Sequence, residues 1–142
     1  MGTTAIIALV QNGKAVIANV GDSRIYLLGD DISQLTRDHS VVQSLIESGK
    51  ITPEDAKVHP RKNVITRALG AEESVIADTS VIELDEGKTL LLCTDGLSSY
   101  VDTEDILRVF KEKKAEKVPT ELIRLANLNG GGDNITVVTL VY

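Results

Sequence analysis

Apolar and β-branched residues crowd two stretches at the start of the chain, Thr3 to Val10 and Lys14 to Val20, parted by Gln11-Asn12-Gly13. Asn and Gly accept positive φ, so this spacing predicts two antiparallel strands joined by a tight hairpin turn. Apolar residues resume at Arg24 to Leu28 after Gly21-Asp22, and at Ile32 to Thr36 after Gly29-Asp30-Asp31. The four runs predict an antiparallel meander. Their nearly continuous apolar character predicts strands covered on both faces.

The period changes after Asp38. Val41, Val42, Leu45 and Ile46 recur at helical spacing, with Ser40 placed as N-cap and Gly49 as stop. Thr52-Pro53-Glu54-Asp55 signals a second short helix, with a capping hydroxyl and Pro in the first turn. Further strands are predicted at Ser80 to Leu84 and Lys88 to Thr94, joined by the Asp85-Glu86-Gly87 turn. A helix from about Thr103 to Lys113 follows, capped by Asp102 or Thr103, with Ile106, Leu107 and Phe110 on one side. Another runs from Pro119 to Leu128 and ends at Asn129-Gly130, and a last strand spans Ile135 to Val141. No internal repeat, low-complexity tract or linker interrupts the pattern.

A chain of 142 residues, 42% of them hydrophobic, has enough material for one domain with a real core and too little for two. The formal charge of −6 argues against a nucleic-acid partner, which selects a clustered basic face. No apolar run reaches membrane-span length and the start lacks a basic segment followed by an apolar signal core, so the expectation is a cytoplasmic protein with no membrane partner. The single cysteine, Cys93, lies in a strand-like apolar run with nothing adjacent to lower its pKa, which argues for burial rather than catalysis. The two histidines, His39 and His59, have no second soft ligand at zinc spacing and read as surface or loop hydrogen-bonding groups.

The candidate chemistry lies in three acidic motifs at the margins of apolar runs: Gly21-Asp22-Ser23-Arg24, Thr94-Asp95-Gly96 and Gly131-Gly132-Asp133-Asn134. Taken singly, Asp next to Gly is ordinary turn composition. Three carboxylates at strand ends also make a set of rigidly supported oxygen donors, which suits Mg²⁺ or Mn²⁺. If the strands before Asp95 and after Asp133 are neighbours, those two carboxylates converge at one end of a sheet. Neither a Cys-x₅-Arg loop nor a P-loop is present, and Ser98 and Ser99 lack an activating His and Asp. Arg24 reads as the buried partner of a carboxylate, and Asn134 as a turn residue.

In order, the blocks Gly2-Thr3-Thr4-Ala5, Ala18 to Arg24, Leu35 to Ser40, Asn63 to Gly70, Leu91 to Leu97 and Gly132 to Val138 resemble the metal-dependent serine/threonine protein phosphatases of the 2C type, in their bacterial form. The resemblance implies an α+β fold, an antiparallel β-sandwich with flanking helices in α-β-β-α layers. It implies metal-dependent hydrolysis of phosphoserine and phosphothreonine on proteins by a metal-activated water, with Mn²⁺ or Mg²⁺ as cofactor. It assigns Asp95 and Asp133 to the first metal, Asp22 with Asp95 to a third and weaker one, residues of about 38–75 to a flap inserted beside the site, and Arg67 to a substrate or flap contact.

In that family the catalytic domain begins well upstream of the Gly-Thr-Thr strand. The upstream portion carries a phosphate-binding Arg, a nearby acidic residue and an Asp-Gly-x-Gly-Gly motif whose Asp bridges two metals. None of these can be placed in this sequence, which matches the C-terminal portion of the domain, with N-terminal strands and a helix pair missing. The expectation is therefore weak or no activity from this chain alone, and an uncovered sheet face that makes it a homo-oligomer or the partner of a complementing N-terminal fragment. The competing reading is a non-catalytic regulatory or binding module that keeps the phosphatase scaffold.

Overall fold

A computed structural model describes all 142 residues. The first hairpin forms as the sequence predicts: β1 (Ala5–Gln11) pairs antiparallel with β2 (Lys14–Val20), and the turn places Asn12 at φ 51° and Gly13 at φ 72°. The continuation differs. β3 (Arg24–Leu28) and β4 (Ile32–Gln34) pair with each other but not with β2, so the predicted four-stranded meander is two hairpins in two sheets. The switch occurs at Gly21, whose φ of 112° turns the chain out of the first sheet. A Cβ there would stand 2.4 Å from the Thr4 methyl, so the turn admits only glycine.

The same division repeats further on. β5 (Asp78–Glu83) pairs with β2, whereas β6 (Thr89–Cys93) pairs with β3, so the turn between them also crosses from one sheet to the other. β7 (Val137–Val141) completes the second sheet beside β6. The strand orders are β1-β2-β5 and β4-β3-β6-β7. Ala15, Ile17, Ile25, Leu84 and Leu90 fill the space between the sheets.

Strands β3 and β6 are apolar at every position except Arg24 and Thr89 because both of their faces are covered. Ile25 and Leu90 point into the sandwich, whereas Tyr26, Leu28, Leu91 and Cys93 point outward beneath α4 (Thr103–Glu112) and α5 (Val118–Leu128). Ile106, Val109, Val118, Leu122 and Ala126 close that second core. Truncating Leu122, which is fully buried there, to alanine is expected to lower stability by about 3 kcal/mol, checked by urea denaturation.

The opposite outer face has no such cover. Ile7, Leu9 and Val81 alternate with the inward residues of β1 and β5 and remain 61%, 64% and 63% exposed. The fold is thus two antiparallel sheets with helices on one side, three layers of the four that the sequence resemblance implies.

Between β4 and β5 lie α1 (Val41–Glu47) and α2 (Pro53–Val58), neither with a buried residue. Ser40 caps α1 by accepting from the Gln43 amide, and Thr52 and Asp55 close a reciprocal capping box on α2. A short helix that the sequence pattern does not predict, α3 (Asp95–Ser98), follows β6 directly. Asp102 occupies the N-cap position of α4, yet its side chain makes no capping bond and instead pairs with Lys57 at 3.2 Å.

Candidate functional site: an acidic pole at the strand ends

Strand register brings the acidic motifs together. Arg24 stands opposite Cys93 on β6, and Cys93 stands opposite Val137 on β7. Asp22 lies two residues before Arg24, Asp95 two after Cys93, and Asp133 four before Val137. Antiparallel pairing therefore delivers all three to the same end of the sheet. Thr94 locks the last two loops: its hydroxyl donates to the Asn134 carbonyl at 3.3 Å and accepts from the Thr136 amide at 3.0 Å. Gly96 lets the loops touch, since a Cβ there would fall 2.1 Å from the Asn134 carbonyl oxygen.

Asp95 is the middle member. Burial raises its pKa first, the Asp133 charge raises it further, and the Gly96 and Asp95 amides offset part of this. Burial, then the Asp95 and Asp38 charges, push Asp22 up to about 6. Asp95 thus repels both Asp133 and Asp22, and the Asp38 charge adds to the repulsion. No three His, Cys, Asp or Glu side chains come close enough to hold an ion by themselves. The donors fit a hard divalent cation in kind: all are carboxylate oxygens, held on separate loops, with an excess of negative charge that a cation relieves. They supply part of a coordination shell, as Mg²⁺ and Mn²⁺ sites that retain water do.

The repulsion has a consequence for stability. Asp22 has a folded-state pKa above its unfolded value, so the folded chain takes up the proton first as pH falls, and the destabilising contribution of Asp22 is relieved as pH drops from about 6 towards 4. Asp22→Asn removes the penalty. In the metal-free chain it is expected to stabilise at pH 7.5 by about 1 kcal/mol after discounting for solvent screening, with the gain vanishing near pH 4. Thermal denaturation across this pH range measures it.

Arg24 has the structural role that its position suggests. Its Nε and Nη2 donate to Asp38, at 3.0 Å and 2.7 Å, and its Nη1 donates to the Tyr26 hydroxyl at 3.1 Å. Burial works against the cation, but the Asp38 carboxylate and the Tyr26 hydroxyl together outweigh it and hold the guanidinium far above its usual range. Burial pushes the Cys93 thiol up to about 12, which removes it as a nucleophile. Arg67 donates to the Ile76 carbonyl and to Asp78, both at 2.8 Å, and does not line the cleft at the acidic pole. That cleft, of about 520 Å³, is lined by Asp22, Asp38 and Asp95 together with Gln43 of α1, Lys57 of α2 and Lys62 beyond it. The sequence marks Thr94 and Gly96 only as members of the Thr94-Asp95-Gly96 motif and gives Asp38 no role; the fold shows what each of them holds.

A two-sheet sandwich with carboxylates gathered at one pole defines a scaffold suited to metal-dependent chemistry. The model of the family Protein phosphatase 2C matches residues 1–135, and this chain belongs to that family. It is 47% identical over 140 residues to the serine/threonine phosphatase stp of Listeria innocua, and 41% identical over 140 residues to the protein phosphatase PhpP of Streptococcus pneumoniae. The alignments cover 97% and 96% of this chain but only 56% of each relative, so the chain spans little more than half their length.

Among solved structures it is similar to the serine/threonine phosphatase Stp1 from Staphylococcus aureus, with a TM-score of 0.94 at 41% identity over 99% of this chain and 56% of that one. It is also similar to the catalytic domain of PstP in complex with two manganese ions, with a TM-score of 0.87 at 38% identity over 97% of this chain and 57% of that one.

Proposed function

We propose that this chain contributes the C-terminal metal-binding carboxylates of a phosphatase that hydrolyses phosphoserine and phosphothreonine on proteins with Mn²⁺ or Mg²⁺. The observation that carries this reading is the convergence of Asp22, Asp95 and Asp133 at one sheet end, with Asp95 repelled by a neighbour on either side. Asp95 and Asp133 serve one metal, and Asp22 with Asp95 a weaker one. When bound, such ions lower the pKa of water towards neutrality and offset charge on the phosphoryl group. The chain's own residues do the holding: Thr94 and Gly96 fix the Asp95 and Asp133 loops against each other, and the Arg24–Asp38 pair braces the strand that follows Asp22. The segment of about 38–75 is a flap whose α1 and α2 wall the cleft, and the protein works in the cytoplasm.

The open face of β1-β2-β5 fits the N-terminal portion of the phosphatase fold, because the chain aligns with only 56% of its relatives and leaves Ile7, Leu9 and Val81 bare. The chain alone is then weak or inactive. Both ideas are tested by mixing it with the N-terminal portion of the Listeria innocua relative and following hydrolysis of a phosphothreonine peptide. Turnover is expected only with Mn²⁺ and the added portion. Leu9→Lys on the open face should abolish it, and Asp95→Ala should reduce it by at least about 100-fold. Undiminished turnover by Asp95→Ala contradicts the metal assignment. Self-association of the chain in sedimentation, with no mixed complex, gives the face to a second copy instead.

A further inference from the structure

His39 is 1% exposed, and both of its ring nitrogens are engaged. Nδ1 accepts the Gly21 amide at 3.0 Å, so that nitrogen carries no proton. Nε2 therefore bears the hydrogen and donates it to Asp78 at 2.8 Å, which fixes the tautomer. Asp78 is held in turn by Arg67, which donates to its second oxygen at 2.8 Å, and the pairing with His39 keeps the Asp78 carboxyl below its usual range. The His39 backbone closes the other side: its amide donates to the Gly21 carbonyl at 3.0 Å and its carbonyl accepts from Thr66 at 2.8 Å. Gly21, the residue immediately before Asp22, is thus gripped through both its amide and its carbonyl by one histidine. That histidine, near the start of the segment between β4 and β5, is bonded to Thr66 further along the segment and to Asp78, the first residue of β5.

We propose that His39 is a positioning residue for Asp22, and that the chain Arg67–Asp78–His39–Gly21 couples the far end of the flap segment to the weaker metal site. The proposal rests on the reading of Asp22 as a metal ligand. Its physical basis is that Gly21 has a φ of 112° and no side chain of its own to hold the turn, so the direction of the Asp22 carboxylate depends on what fixes the Gly21 peptide. Outer partners of this kind orient ligands without touching the ion, and their loss typically weakens metal binding by about 10–100-fold. From the sequence His39 reads as a surface or loop hydrogen-bonding residue and Arg67 as a substrate or flap contact, whereas the fold buries His39 and places Asp78 between the two.

The test compares Mn²⁺ titrations and amide hydrogen exchange in the 142-residue chain and its variants. His39→Gln keeps a donor near the Nε2 position but loses the acceptor for Gly21, whereas His39→Asn keeps an acceptor near Nδ1. Asp78→Ala removes the anchor at a half-exposed side chain and serves if His39→Gln does not fold. Asp22→Ala should abolish the weaker Mn²⁺ step. His39→Gln should weaken the same step by at least about tenfold and speed exchange of the Gly21 amide, with the Asp95–Asp133 step unchanged. His39→Asn should recover most of both, and Asp78→Ala should weaken the Asp22-dependent step severalfold. If Asp22→Ala abolishes that step while His39→Gln and Asp78→Ala bind as the parent does, the positioning role is overturned and the metal assignment stands. If Asp22→Ala itself binds as the parent does, the assignment of Asp22 fails and the proposal fails with it.

Discussion

Gly96→Ala is expected to destabilise the chain by about 3 kcal/mol and to abolish Mn²⁺ binding at the Asp95–Asp133 site, although it adds one methyl group. The new Cβ would lie 2.1 Å from the Asn134 carbonyl oxygen and 2.8 Å from its carbon. Both are backbone atoms, so no side-chain rotation relieves the overlap. The loops must separate, which stretches the hydrogen bonds between Thr94 and residues 134 and 136 and carries Asp133 away from Asp95. Thermal denaturation gives the stability loss and calorimetry the loss of binding.

Arg24→Ala should cost about 3 kcal/mol by a different route. Asp38 has a side chain only 10% exposed, and the guanidinium is the cation paired with it. Removing the arginine leaves a nearly buried carboxylate uncompensated beside Asp22, whose pKa the Arg24 charge lowers and the Asp38 charge raises. Stability should then fall most above about pH 6, where Asp22 is ionised beside Asp38. Urea denaturation of Arg24→Ala, Asp38→Ala and the double variant measures the coupling, and the double variant should be more stable than the sum of the two single losses predicts. Strict additivity would show that the pair contributes no coupling.

What the sequence discloses and what it hides follow physical lines. The Asn12-Gly13 turn, the Ser40 and Thr52 caps and the apolar stripes of α4 and α5 are local, and each forms within a residue or two of its expected place. Pairing is not local. Strands β2 and β3 follow each other closely and read as a meander, but β3 buries both faces and joins the central layer, while Gly21 sends the chain there. The site divides in the same way. Asp22, Asp95 and Asp133 are legible because carboxylates beside glycines at strand ends form a pattern in one dimension. Asp78 contacts a histidine 39 residues away in sequence, and Gly96 matters only because Asn134 lies against it.

In the proposed site Asp95 is shared between two metal positions and Asp22 serves only the weaker one. Calorimetric Mn²⁺ titration of the parent chain, Asp95→Ala and Asp22→Ala tests it directly. Asp95→Ala should lose all specific binding, whereas Asp22→Ala should lose only the weaker step and keep the stronger. Equal losses in the two variants, or parent-like binding by Asp95→Ala, would contradict it.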